Sequence, residues 1–203
     1  MKKFSEQEVD QFISQLFGQP LSIPSESKPV SFKLSGSYQL PLKVGKNNVP
    51  IDDQNKPWIV GGFLPGQFVN ERHKSGHEGV DLAAERNTPI YPIGPGKVTE
   101  TMVYAKGGNT VKIEHEDGSV ISYYAHMQSI NVKVGQEVDN NTVIGLVGDS
   151  GNAKGTQPHV HYTVKVNGSL VDPMSIVGKP VGSLSKKAYI KETIDVLEKF
   201  AKF

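Results

Sequence analysis

Residues 110–126, T-V-K-I-E-H-E-D-G-S-V-I-S-Y-Y-A-H, read as two strands folded back on one another. β-Branched and aromatic residues fill both arms, and Asp117-Gly118 lies between them as a tight-turn pair. Outward from this hairpin the same texture continues, with short apolar runs at Ile90–Tyr91, Lys97–Val103, Val143–Val147 and His159–Val166 punctuated by Gly, Asn and Asp. The spacing predicts a mainly β, antiparallel sheet or sandwich domain over residues 59–177.

The flanks read differently. In residues 5–17, Ser5 with Glu8 makes a capping box, and Val9, Phe12, Ile13, Leu16 and Phe17 form one apolar stripe, which predicts a helix ended by Pro20 and Pro24. From there to residue 58 the chain is rich in Pro, Ser, Lys and Asn and reads as extended, with candidate strands at Val30–Leu34 and Tyr38–Val44. A second helix is expected from Lys186 to Phe200, placing Ile190, Ile194, Leu197 and Ala201 on one face. The expected organisation is an extension over 1–58, a β domain over 59–177 and a helical extension over 178–203.

Composition narrows the functional classes. The 203 residues suffice for one substantial domain, and 22 Lys+Arg against 21 Asp+Glu leave a net charge of +1. Such a balance provides no broad electrostatic footprint for nucleic acid or an anionic membrane. No cysteine is present, so disulfides, thiolate metal sites and a cysteine nucleophile drop out. The start M-K-K-F-S-E-Q-E-V-D lacks the apolar stretch of a secretory signal, and no segment approaches a membrane span.

Histidine is where the chemistry concentrates. Of six histidines, four fall in three short segments: S-G-H-E-G-V-D (75–81), Y-Y-A-H-M (123–127) and P-H-V-H-Y (158–162). A strand alternates its side chains, so His159 and His161 share one face while Val160, Tyr162, Val164 and Val166 occupy an apolar other face. His77-Glu78-Gly79-Val80-Asp81 begins like the helical H-E-x-x-H motif, but ends in Asp81. Gly76, Gly79 and β-branched Val80 also oppose a helix. An extended segment instead points His77, Gly79 and Asp81 one way, with glycine leaving room for a metal.

Zinc in a hydrolase takes three N/O/S protein ligands and keeps one open position. His77, Asp81 and His161 would provide two neutral imidazoles and one carboxylate, a site charge near +1 that leaves the zinc a usable Lewis acid. His126 and His159 would remain to accept a proton or hydrogen-bond an oxyanion. Tyr124 shares the face of His126 under strand alternation and is a candidate substrate contact. His115, before the turn, and His73, among polar residues, read as structural.

These residues resemble the lysostaphin-type, or LytM-like, zinc endopeptidases that cut peptide bridges in bacterial peptidoglycan. That family carries H-x-x-x-D, a later Y-x-H-(L/M) and a final P-H-x-H, matched by His77 with Asp81, by Tyr124 to Met127, and by Pro158 to His161. Intervening text is similar too: N-T-P-I-Y, G-N-T-V-K-I-E-H, V-K-V-G-Q-E-V, V-I-G-L-V-G-D-S-G-N and V-D-P. The resemblance spans residues 59–177 and implies one zinc per chain bound by His77, Asp81 and His161, with His126 and His159 as the catalytic histidines. It implies a peptidoglycan substrate and a periplasmic, extracellular or cell-wall location. Two departures stand out: Thr156-Gln157 reads as an insertion before Pro158, and Thr163 stands where the family often has an acidic residue, which would weaken support for the metal ligand.

A second reading is a catalytically silent module of the same fold that binds or regulates another cell-wall enzyme through the terminal extensions. A third, a lipoyl- or biotinyl-type carrier, is suggested by V-K-V-G-Q-E-V-D-N-N-T-V-I-G. It lacks the M-K-M-like lysine hairpin and leaves His77 with Asp81 unexplained.

Overall fold

The computed structural model describes residues 36–66 and 76–184. The helices expected over 5–17 and 186–200, the candidate strand Val30–Leu34 and His73 lie outside the described residues. Among the described residues thirteen strands follow in chain order: β1 (Ile59–Gly61), β2 (Leu64–Pro65), β3 (Gly76–His77), β4 (Val80–Ala83), β5 (Pro89–Ile90), β6 (Gly96–Tyr104), β7 (Gly108–His115), β8 (Val120–Met127), β9 (Ser129–Ile130), β10 (Glu137–Val138), β11 (Gly145–Leu146), β12 (His159–Val166) and β13 (Ser169–Val171). Every pairing between them is antiparallel.

The main sheet runs β1-β4-β12-β8-β7-β6-β10, with β13 added beside β12; β5-β11-β9 form a small three-stranded sheet, and β2-β3 a two-stranded one. The β7–β8 hairpin is as expected in its arms, pairing His115 with Val120. Its turn is longer than two residues: Glu116, Asp117 and Gly118 all adopt left-handed backbone. In β7, Val111, Ile113 and His115 are buried, while the Lys112 ammonium reaches across to Glu100 at 2.9 Å. This period-two alternation gives the sheet one apolar face.

One hydrophobic cluster joins that face, through Val111, Ile113, Tyr124, Val160, Tyr162 and Val164, to Ile90 and Ile144 of the small sheet and its approach. Each such side chain taken out of water contributes about 1.5–3 kcal/mol. Tyr38 and Leu42, which precede residue 59, belong to the same cluster.

The segment Tyr38–Val44 forms no strand. Pro41 cannot donate to a ladder, and the neighbouring amides and carbonyls bond irregularly instead, Gln39 N–H to Ile93 O and Tyr91 N–H to Pro41 O. Its Tyr38 hydroxyl donates to buried Glu116 at 2.5 Å, fastening this segment to the hairpin turn. No helix among the described residues is long and apolar enough to cross a membrane.

Candidate metal centre

His77 ends β3 and Asp81 lies in β4, with a break at Glu78-Gly79. The segment is extended, as its glycines require. Across the sheet, Asp81 is the Cα partner of His161 on β12, and on the far side of β12 His161 pairs with Ala125 of β8. Strand register therefore brings together residues 80 positions apart. His159 and His161 project on one side while Val160, Tyr162 and Val164 are fully buried on the other.

The three donor atoms converge. His161 Nδ1 is 2.8 Å from Asp81 Oδ1, His77 Nε2 is 3.2 Å from the same oxygen, and the two ring nitrogens are 3.0 Å apart. Outer contacts orient each ring: His77 Nδ1–H donates to the Gly62 carbonyl at 2.6 Å, and His161 Nε2 lies 3.1 Å from the Thr163 hydroxyl. A carbonyl can only accept, so His77 carries a proton on Nδ1, and Nε2 is the ring atom turned toward Asp81 and His161. Thr163, expected to weaken the site, instead supplies the partner for His161.

Electrostatics agree. Burial opposes a charged Asp81, yet hydrogen bonds from His161 and His77 and their charge hold its carboxyl well below the usual carboxylate range. Burial lowers His77, but the Asp81 bond and charge outweigh it and raise the imidazole. His77, Asp81 and His161 could thus hold a metal ion, their ligand atoms all lying within 4.8 Å. Tetrahedral bonds of 2.0–2.1 Å make an edge of about 3.3 Å, close to the spacing here. Two glycines leave the space: a Cβ at Gly61 would meet Asp81 Oδ2 at 2.5 Å, and one at Gly79 would meet His161 Nε2 at 2.8 Å.

His126 and His159 stand beside this group, their rings 5.0 Å apart, and His126 is 5.9 Å from the His161 ring. His126 Nδ1–H donates to Ser150 O at 2.9 Å and His159 Nδ1–H to Gln157 O at 2.8 Å, which leaves each Nε2 as an acceptor. His159 Nε2 lies 4.0 Å from Asp81 Oδ1. Burial pushes His126 down to about 4, with His159 and His161 adding to the shift against the Ser150 carbonyl.

The expectation that Tyr124 shares a face with His126 is corrected. His126 has φ +61°, and the β7–β8 register slips between Asn109 and Val111, so Ala125 and His126 together oppose one residue of β7. This β-bulge breaks the alternation and turns His126 away from the core. Tyr124 is fully buried, its hydroxyl accepting the Ile93 N–H at 2.8 Å, which takes it out of reach as a substrate contact. His115 is structural as expected, fully enclosed between Pro95 O and the Ser122 hydroxyl. Sequence reasoning missed the carbonyls of Gly62, Ser150 and Gln157, which leave no mark on residue identity, and the Arg86–Asp149 pair, whose members are 63 positions apart.

A His/Asp/His group built on β3, β4 and β12, with two further histidines beside it, is a donor set that a metallopeptidase could use. The family model described as Peptidase family M23 matches residues 75–173. The chain is 37% identical over 111 residues to peptidoglycan DD-endopeptidase ShyA of Vibrio cholerae, covering 55% of this chain and 25% of that protein. Its fold is similar to the catalytic domain of the antimicrobial peptidase lysostaphin from Staphylococcus simulans, with TM-score 0.52, 30% identity, and 59% of this chain and 90% of that one covered. A zinc-containing peptidase from Vibrio cholerae gives TM-score 0.57 at 30% identity, over 69% of this chain and 40% of that one. The chain belongs to peptidase family M23, the lysostaphin- and LytM-like metallopeptidases. It spans 31%, 25% and 26% of the length of three curated relatives it matches.

Proposed function

We propose that this protein is a zinc-dependent endopeptidase that hydrolyses peptide bonds in peptidoglycan stem peptides or cross-bridges, and that it acts in the periplasm or at the cell wall. The observation that carries the reading is the convergence of His77 Nε2, Asp81 Oδ1 and His161 Nδ1 on one point, each ring held from behind. Kinship with ShyA, named as a peptidoglycan DD-endopeptidase, supports the substrate class. The zinc-containing structural neighbour supports the metal.

In this reading His77, Asp81 and His161 hold one zinc. When bound, it supplies a Lewis acid that acidifies water and polarises the scissile carbonyl. The chain's own residues do the rest. With Nδ1 committed to a backbone carbonyl, His126 and His159 each offer an acceptor Nε2 beside the site. One takes a proton from the attacking water and, as imidazolium, returns it to the departing amine, while the other hydrogen-bonds within the same transition state. The Asp81 carboxylate, 4.0 Å from His159 Nε2, stabilises positive charge on that ring.

The test is zinc content by mass spectrometry together with muropeptides released from purified sacculi of different cross-link chemistry. Stoichiometric zinc with new peptide termini, both lost in His161→Ala, is the expected result. Stoichiometric zinc without hydrolysis on any sacculus would point to a silent module, and absence of zinc would remove the reading altogether.

A further inference from the structure

One loop holds both flanking histidines. Residues 149–157 supply the carbonyl of Ser150 to His126 and the carbonyl of Gln157 to His159. The loop is clasped across its width by a single carboxylate. Asp149 accepts from Arg86 Nη1 at 2.9 Å and pairs with Nη2 at 2.8 Å, and its Oδ2 also accepts the Gly155 N–H at 3.1 Å. Arg86 Nη1 in turn donates to the Gln128 side chain at 2.7 Å, two residues beyond His126.

The two halves of the loop are anchored unequally. On the Ser150 side the backbone packs directly on the Lys106–Gly108 turn: a Cβ at Gly151 would meet Gly108 N and Lys106 O at 2.4 Å, and Asn109 N–H bonds the Ser150 hydroxyl at 3.0 Å. His126 N–H bonds Gly107 O at 2.7 Å, so this side is fixed by main chain. Toward Gln157 the chain has fewer such ties: Thr156 bonds Ala153 O through its N–H at 2.9 Å and its hydroxyl at 2.7 Å. Gln157 also lies in the two-residue segment that reads as an insertion. Beyond Gln157 the chain is held again, by Ala84 N–H to Pro158 O at 3.3 Å and His159 N–H to Gly148 O at 3.0 Å, so the clasp from Asp149 to Gly155 is the side-chain tie across the stretch between.

We propose that Asp149 and Arg86 are positioning residues that hold the 149–157 loop so that His126 and His159 both keep their proton on Nδ1 and present Nε2 to the site. The role of those two histidines rests on the peptidase reading above; the hydrogen positions do not. An isolated ion pair at a partly exposed position contributes little to stability. This one is bidentate and tied at both ends to further donors and acceptors, the geometry in which an Arg–carboxylate pair fixes orientation. Loosening it frees the Gln157 carbonyl first, and the His159 ring then equilibrates between its two neutral tautomers.

The experiment is long-range proton–nitrogen correlation NMR on histidine-labelled, zinc-loaded protein at pH 8, comparing wild type, Asp149→Ala and Arg86→Gln, with zinc content and hydrolysis measured on the same samples. The wild type should show His126 and His159 protonated on Nδ1. Both variants should show His159 as a mixture, with zinc content unchanged and kcat lowered roughly 10- to 100-fold at constant KM. Asp149→Glu, which keeps the carboxylate, should restore most of the Nδ1 signal. Wild-type tautomers in both variants would overturn the proposal, as would a mixture in the wild type itself. So would variants that lose zinc or cooperative unfolding in step with activity, because they would mark a merely structural pair. If the wild type hydrolyses nothing, the peptidase reading fails while the tautomer comparison still decides this one.

Discussion

Asp81 and His161 face each other across the β4–β12 ladder with Oδ1 and Nδ1 2.8 Å apart, and the same oxygen lies 3.2 Å from His77 Nε2. One carboxylate oxygen thus organises both imidazoles. In the proposed reading these same three atoms are the metal ligands.

Zinc should stabilise the fold through this group. A ligand at a thousand times its Kd adds about 4 kcal/mol, and for a unit of this size each kcal/mol moves Tm by about 2–4 °C. Calorimetry should therefore show a rise of roughly 8–16 °C on saturating the chelator-treated protein with zinc, and none in His161→Ala. An equal rise in that variant would place the metal elsewhere.

The space beside the ligands should be intolerant of a methyl group. A Cβ at Gly79 would lie 2.5 Å from Tyr162 O and 2.8 Å from His161 Cε1, whereas one at Gly62 meets nothing within 4 Å. Gly79→Ala should weaken zinc binding at least about tenfold, the lower range for disturbing a ligand's support. Gly62→Ala should bind as the wild type does, since it leaves the carbonyl that takes the His77 proton in place. Competition with a chromophoric chelator reads both.

Thr163 should matter to the metal through His161. Replacing it by Val keeps the shape and removes the partner of Nε2, 3.1 Å away. Zinc affinity should fall by roughly 10- to 100-fold with a near-normal fold by circular dichroism. Unaltered affinity would show that the hydroxyl is incidental.

Acid should destabilise the protein through His115. Burial pushes this imidazole down to about 4, against hydrogen bonds to backbone carbonyls that raise it. The folded form is therefore the weaker base, so the unfolded chain binds the extra proton. Stability from the neutral ring is complete above an unfolded pKa of about 6.5 and is lost as pH falls from there toward 4. Between pH 7.5 and 5 the loss from this residue is on the order of 2 kcal/mol. Urea unfolding of wild type and His115→Gln should show the steeper fall in the wild type; parallel curves would contradict the assignment.

What the amino-acid sequence determined by itself was whatever depends on neighbouring residues. The common face of His159 and His161, the apolar face of Val160, Tyr162 and Val164, and the extended path of His77 to Asp81 all follow from strand period and glycine content, which are local. The antiparallel β class was legible for the same reason, in the arms of 110–126. Tertiary structure decided the rest. His126 left the face of Tyr124 because a bulge is set by how many residues two strands place opposite each other, a count no single strand carries. Tyr38 and Leu42 entered the core because segments beyond the strands could close over it. The hydrogen positions on His77, His126 and His159 depend on the carbonyls of Gly62, Ser150 and Gln157, groups that every residue possesses and only folding brings into range.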